Sequence, residues 1–560
     1  MPDDCSDDDR NRPAQTWAVC GLTLWRSAQQ PDGDVVIQSR PKAAASGPLL
    51  CIWLSFLLYS FCHAPVPGVN EPHYLSKAKH YWNPDWCPGD LFLESSNPHL
   101  LFYQTFGPLT QVLSFEHTAI AGRMIAFLIL SIGWQLLCQQ LTRDRWSGLA
   151  AAWIFLLLAS IGNLSGEWLV GGVESKVLSY GFVLCGLATL AQRHWVVAGV
   201  TCGLAVAFHP LVGMWSLVAI ALACAGTILR PGPVGLRTEL MASGARTIRS
   251  PHFLVGMVLL AATALMGIIP ALAVTAGATR DETWYANFVQ VYYRLAHHLD
   301  PMTFRFSAFA GYALLSLLSL TLCRFSTDRR VVLMSRYVAA AGFIALVGLA
   351  IGCGPRPTEQ TPLWEVRIAL LKFYPFRLFD VMLPLLTSIL VAGQFSSRRL
   401  ASVLVPARLR WGLLTSGLLI ALWLNAGRGS TNHMTPQQER DWLAACEWLH
   451  ANALGDALVY TPKDGWAFKW FAQRAEYVAR KDCPQDAAGI REWNTRLNAM
   501  SDWGRAPENY RPDGGYSREA AHALSRQTGI TYILSRRFGP FDVPVVFNSP
   551  TYRVYHIAPD

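Results

Sequence analysis

Four stretches of this 560-residue chain place ionisable side chains where they could do chemistry. The first reads Asn70-Glu71-Pro72-His73-Tyr74-Leu75-Ser76-Lys77-Ala78-Lys79-His80-Tyr81. Asn70 can cap a helix whose first turn tolerates Pro72 and favours the charge of Glu71. On that helix His73, Lys77 and Tyr81 share one face, and Glu71, Tyr74 and Ala78 another. A carboxylate, an imidazole, ammonium groups and phenols then converge within about three turns at ~3.6 residues per turn. The second stretch, Gly166-Glu167-Trp168 to Glu174-Ser175-Lys176, sets two carboxylates and a lysine at a helix entrance, costly unless paired or solvated. The third is His209 before Pro210. In the fourth, Lys372 and Arg377 stand among aromatics where an apolar run begins, a setting that suits a lipid phosphate because Arg presents a planar fork of donors. Each has a plainer reading: an amphipathic helix lying on a bilayer, an interfacial Glu174–Lys176 pair beside a belt Trp168, a packing histidine, and cations snorkelling to ordinary headgroups.

The elements that must position these groups are written in the composition. The chain is 52% hydrophobic and 15% charged, where soluble proteins average roughly 25% charged residues. Apolar blocks recur between residues 49 and 426, and both ends are polar. This describes a polytopic integral membrane protein with a soluble tail. The net charge of +9 is therefore no nucleic-acid signal, since the arginines cluster in alternate loops and write orientation into the chain. The 13 cysteines contain no Cys-x-x-Cys pair and no zinc-type spacing. Cys51, Cys138, Cys185, Cys202 and Cys224 read as small core residues. Cys87, Cys353, Cys446 and Cys483 fall on the outer side, where one disulfide such as Cys446–Cys483 is compatible with the sequence but not assigned by it.

Residues 1–47 carry Asp3, Asp4, Asp7, Asp8 and Asp9 and read as a disordered cytoplasmic tail. Arg40 and Lys42 precede a first span at 49–63, a retained signal anchor with its N-terminus inside. Later spans are expected at 119–141, 147–163, 177–192, 195–209, 211–229, 253–276, 308–323, 331–352, 377–395 and 411–426. About eleven spans form the domain 48–428, with a large first outer loop at 65–118, and place the C-terminus outside an inner membrane. The inside loops carry Arg143, Arg145, Arg193, Arg230, Arg237, Arg246, Arg249, Arg324, Arg329, Arg330, Arg398, Arg399, Arg408 and Arg410. Around His209-Pro210 the run is either two spans about a tight outer turn or one kinked helix. Residues 429–560 form an extracytoplasmic domain. A helix around Trp442, a strand at Ala457–Pro462, helices at Arg491–Met500 and Ser517–Gln527, and strands at Thr531–Leu534, Val543–Phe547 and Tyr552–His556 suggest a small α/β fold. Its tryptophans, Trp442, Trp448, Trp466, Trp470, Trp493 and Trp503, serve a core more readily than a sugar.

The layout of residues 49–426 resembles the GT-C class of integral-membrane glycosyltransferases. Asn70-Glu71-Pro72-His73-Tyr74 is similar to their acidic opening after the first span. Glu174-Ser175-Lys176 with Arg193-His194-Trp195 through His209-Pro210 resembles their middle span pair, and Pro375-Phe376-Arg377 their late phosphate-holding segment. With its C-terminal domain the chain also resembles an uncharacterised bacterial membrane family within that class. The resemblance implies a mostly α, polytopic helical bundle that moves a sugar from a polyprenyl-phosphate donor to an acceptor hydroxyl on the outer face. The chain has no Asp-x-Asp, so a divalent metal is left open and no cofactor is assigned. Expulsion of a phosphate needs cations and one base, where hydrolysis usually needs two opposed carboxylates. Glu71 is then the expected base, inverting in mechanism, with Asp85 or Asp90 next in line. His73, Tyr74, Lys77, Glu174, Lys176, His209, Lys372 and Arg377 are the expected substrate-binding residues. The expected partners are the lipid-linked donor and membrane lipid, with no nucleic acid. A multi-pass transporter and a non-catalytic scaffold whose C-terminal domain binds a partner are the competing readings.

Overall fold

The computed structural model describes residues 46–560 apart from 69, 143, 229–246, 325, 327, 397–405, 428–433, 464, 537 and 560. The expected N-terminal tail, and the loop arginines Arg143, Arg230, Arg237, Arg246, Arg398 and Arg399, lie outside the described residues. Ser46 to Asp560 make one compact unit.

Among the described residues, six helices are long and apolar enough to cross a membrane: Ser46–His63, Phe115–Leu141, Pro251–Ala273, Phe306–Arg324, Arg329–Gly352 and Arg377–Gln394. Ser147–Ile161, Ser175–Ala191, Trp195–Phe208 and Pro210–Gly226 are apolar but shorter, and Ala407–Asn425 occupies the place of the last expected span. A perpendicular crossing takes ~20 residues, so length and composition single out six of the eleven expected spans. This is the architecture of an integral membrane protein. Burial differs sharply among the spans: 17% of the Pro251–Ala273 window and 11% of the Phe306–Arg324 window are covered, against 72% for Arg377–Gln394. The first two therefore present leucine and valine outward, as lipid permits, whereas the last is the helix the bundle is built around. At His209-Pro210 the apolar run breaks into two helices. They fold back on each other tightly enough that a Cβ on Gly213 would sit 2.4 Å from the Val206 nitrogen. The chain thus turns tightly at this point instead of continuing as one kinked helix.

The segment between the first two spans carries helices Glu71–Trp82, Leu91–Glu94 and Leu100–Val112. Glu71–Trp82 starts where the sequence predicts, but Asn70 makes no side-chain capping bond. The segment after Pro251–Ala273 carries Arg280–Phe288 and a π-helical turn, Val289–Arg294.

Past Thr435 the chain forms a five-stranded mixed sheet in the order β2-β1-β3-β5-β4, with β1 Leu458–Tyr460, β2 Ala475–Glu476, β3 Tyr532–Ser535, β4 Val545–Asn548 and β5 Arg553–His556. β1 runs parallel to β2 and β3, and β5 antiparallel to β3 and β4. Alternation along β3 sends Ile533 to one face, with Ile490, Trp493 and Leu524, and Leu534 to the other, with Trp442 and Leu449. Helices thus cover both faces. The Cys446–Cys483 disulfide that the sequence allowed without assigning does not form: both thiols are free and buried, Cys446 in the second of these clusters and Cys483 in the first.

Candidate functional site

Glu71 is the first residue of its helix, and its carboxylate is fully buried. Arg123, from the span Phe115–Leu141, donates to both of its oxygens, at 2.7 and 2.8 Å. The backbone N–H groups of Gly68 and Val173 add bonds of 2.6 and 2.8 Å. Gly172 has to be glycine here, because a Cβ would press to 2.8 Å from the Glu71 side chain. Arg123 is also fully buried and bonds the Ala64 carbonyl at 2.7 Å. The pair ties the first span, the second span and the loop before Ser175 into one joint.

In front of that joint opens a cavity of about 1790 Å³, walled by the membrane helices on one side and the sheet domain on the other. Its membrane-side wall is an ion cluster. Arg377, at the head of the central span, lies 3.0 Å from Glu167 and within 3.1 Å of His209 Nε2. Its guanidinium stacks 4.0 Å above the Tyr374 ring. Tyr374 adopts a left-handed φ of 56°, uncommon for an aromatic residue and a mark of local strain. Lys176 lies 3.5 Å from Glu167 and 3.3 Å from Glu174, over the face of Trp168, whose indole N–H donates to Glu174. The loop bearing Glu167 is held by Asp380, one helical turn beyond Arg377 and therefore on the same face. Asp380 accepts from the N–H groups of Leu164, Ser165 and Glu167 at 2.6, 2.9 and 3.1 Å, and from the hydroxyls of Ser165 and Tyr312. One helix thus supplies both the guanidinium and the group that positions its counter-charge.

The opposite wall is stitched to the helix Glu71–Trp82 by a second buried network. Lys469 is 2.6 Å from Glu476, 2.7 Å from Asp482 and 3.3 Å from Asp90. Asp482 also bonds His73 Nδ1 at 2.9 Å. Burial alone would raise the Asp482 carboxyl, but Lys469 and His73 override it and hold it well below the usual range. An ionised carboxylate only accepts, so Nδ1 carries the proton and Nε2 of neutral His73 is left as an acceptor. Burial lowers the His73 pKa from its ordinary 6.5, with Asp482 pulling part of the way back. The arrangement is a neutral imidazole, oriented by a carboxylate, lining a cavity rich in cations. It can accept a proton.

His73, Tyr74, Glu174, Lys176, His209, Lys372 and Arg377 all line this cavity. Glu71 and Lys77 do not, and the structure corrects the sequence expectation for both. Glu71 sits behind the wall with Arg123 on both of its oxygens. Lys77 turns inward and donates to the carbonyls of Phe92, Leu93 and Ser95 and to the Ser95 hydroxyl, closing the end of the short helix Leu91–Glu94. Burial pushes its ammonium down to about 7, against the pull of Asp90. Asp90, next in line as a base, caps that helix and bonds Glu476 N–H. Asp85 is not among the cavity's lining residues. In the sequence Glu167 stands in one of the four conspicuous stretches without an assigned role, and Asp380, Asp482 and Lys469 are not among the expected site residues. Only Glu167 and Asp380 left a signal, as charges at membrane depth; Asp482 and Lys469 look like ordinary surface residues. Among the described residues no group of three or more His, Cys, Asp or Glu is placed to hold a metal.

A family described as a domain of unknown function (DUF6798) matches residues 440–500, the stretch that contains Lys469, Glu476 and Asp482. No curated protein matches the chain. Solved structures that resemble it distantly include two of oligosaccharyltransferases. One is the archaeal oligosaccharyltransferase AglB from Archaeoglobus fulgidus in complex with an inhibitory peptide and a dolichol-phosphate. It is 13% identical, with a TM-score of 0.43 over 87% of this chain and 69% of that one. The other is the Archaeoglobus fulgidus oligosaccharyltransferase in complex with Zn and sulfate, 13% identical, with a TM-score of 0.39 over 87% and 68%. Likeness at that level carries no chemistry across.

Proposed function

We propose that this protein is a membrane glycosyltransferase that takes its sugar from a polyprenyl-phosphate donor, with His73 as the base. The observation that carries the reading is the charge balance of the cavity. Lysine and arginine side chains on its lining outnumber carboxylates nine to four. All four carboxylates already have partners: Glu167 and Glu174 with Lys176, Glu476 and Asp482 with Lys469. A cavity of excess positive charge, entered beside membrane spans, suits an anionic lipid headgroup.

In the proposed reaction the donor phosphate rests against Lys372 and Arg377. The acceptor hydroxyl gives its proton to His73 Nε2 as its oxygen bonds the anomeric carbon. The bond from that carbon to the phosphate oxygen breaks, and polyprenyl phosphate leaves with the electron pair, its new charge held by the same cations. One displacement inverts the centre. Trp168, Glu174 and Lys176 face the sugar, and Tyr74 the acceptor. Glu71 takes a structural part. Transport and scaffolding have less support, because the charges near membrane depth, Arg123 and Asp380, are spent on holding loops.

The test is release of polyprenyl phosphate from a panel of undecaprenyl-phosphate sugars by the full-length protein in lipid nanodiscs. His73→Asn keeps a donor for Asp482 and removes the base. Turnover should fall ~10²–10⁴-fold with donor binding retained. Turnover within a few-fold of wild type refutes the role of His73.

A further inference from the structure

We infer that Arg294 and Lys481 form an oxyanion-binding subsite of the cavity, one that takes a phosphate group distinct from the one at Arg377. Arg294 ends the π-helical turn Val289–Arg294, and Lys481 belongs to the sheet domain. The Arg294 guanidinium donates to the Lys481 carbonyl at 2.7 Å, which ties the tip of Arg294 to the Lys481 backbone across the junction. Both line the cavity.

The Arg294 charge acts on the Lys481 ammonium, and among the described residues neither has a carboxylate within ion-pair distance. The carboxylates whose charge reaches Lys481 are Glu174 and Asp482. Glu174 is engaged by Lys176 and Trp168, and Asp482 by Lys469 and His73. The Nε of Arg294 is buried with no hydrogen-bond partner, a donor left over in a chain that satisfies most of its buried polar atoms. His297, one turn further on, also feels the charges of Arg294 and Lys481. Lys481 is exposed to the cavity solvent, yet crowding by protein, then the Arg294 charge, push its ammonium down to about 8. A phosphate oxygen would satisfy the Arg294 donor and pair both charges at once, as guanidinium and ammonium groups do with oxyanions elsewhere.

The subsite rests on the proposed function only for the origin of its ligand. The same chemistry is offered by the second phosphate of a diphosphate-linked donor and by a phosphate on the acceptor.

The experiment reads the subsite without reading transfer. Full-length protein in nanodiscs is treated near pH 8 with an amine-acylating reagent, and modification of Lys481 is measured by peptide mass spectrometry. The probes are inorganic phosphate, chloride at matched ionic strength, undecaprenyl phosphate and undecaprenyl diphosphate. A bound phosphate covers the amine and keeps it protonated, so phosphate should protect Lys481 where chloride does not. Arg294→Gln should raise the protecting concentration about tenfold, the loss of one charge-assisted bond, and Arg294→Lys should recover part of it. Protection at lower concentration by the diphosphate lipid than by the monophosphate lipid assigns the site to the donor. Protection by inorganic phosphate with no preference between the lipids assigns it to the acceptor. Equal acylation of wild type in all four probes overturns the subsite, as does undiminished protection in Arg294→Gln. Protection that persists while His73→Asn transfers at the wild-type rate would sink the proposed base and leave the subsite standing.

Discussion

Replacing Glu71 by Gln should unfold the membrane region rather than merely silence it. The carboxylate and Arg123 are both wholly buried, joined by two bonds of 2.7 and 2.8 Å, and the remaining oxygen capacity is taken by two backbone N–H groups. Gln keeps the shape but supplies one oxygen, and its NH₂ must face a donor. Arg123 would then hold an uncompensated charge at zero exposure. Breaking one side of a buried pair typically costs ~3–5 kcal/mol. That is a large part of the ~5–15 kcal/mol that keeps a domain folded. Reversible unfolding in mixed micelles, followed by tryptophan fluorescence, should show a loss of that size for Glu71→Gln and for Arg123→Met. Because the two residues share one set of bonds, the double variant should lose less than the sum, with a coupling of ~0.5–3 kcal/mol. A Glu71→Gln protein that unfolds within ~0.5 kcal/mol of wild type, the scatter of a neutral change, would refute the structural role. If that same protein no longer transferred sugar, Glu71 would be the base.

Arg377→Ala should weaken binding of undecaprenyl phosphate about 10- to 100-fold, since a bond to a charged group is worth ~1.5–3 kcal/mol, and Arg377→Lys should restore part; unchanged affinity in the Ala variant removes Arg377 from the phosphate site. The pH profile of transfer should be level near neutrality and fall as pH drops below a midpoint under 6.5, because the base works deprotonated and burial lowers the His73 pKa. Asp482→Asn removes an upward pull on that pKa, so the acid limb should move further down; movement upward contradicts the His73–Asp482 assignment. The alternating arginine loops of the sequence predict that the sheet domain lies outside, so a cysteine introduced at the exposed Leu454 should react with an impermeant thiol reagent in intact cells, with peptide mass spectrometry separating it from the exposed Cys224 and Cys353; reaction only after lysis reverses the topology.

Much of the architecture was legible without coordinates because it depends on local pattern. Apolar runs of span length, Pro72 in a first helical turn and alternation along Tyr532–Ser535 each act within a few residues, and the elements formed within a few residues of where they were expected. The short β2 strand and the helix Phe468–Ala472 left too little pattern to be read. Most of the candidate site residues were visible too, since a charge beside a membrane span is costly and therefore conspicuous.

Their roles were not visible, and the reason is physical. A carboxylate in sequence is the same group whether it will face a substrate or an arginine. Which it becomes depends on what the fold brings within about 3 Å, the range of a hydrogen bond. Glu71 meets Arg123 from the next span, and His73 meets Asp482 from the far end of the chain. Sequence by itself marked Glu71 as the residue to watch. Only the tertiary structure buried that carboxylate against a guanidinium and left the neighbouring imidazole at the cavity, because a group whose lone pairs are all taken is a structural tie, whereas His73 spends only Nδ1 on Asp482 and keeps Nε2 as an acceptor.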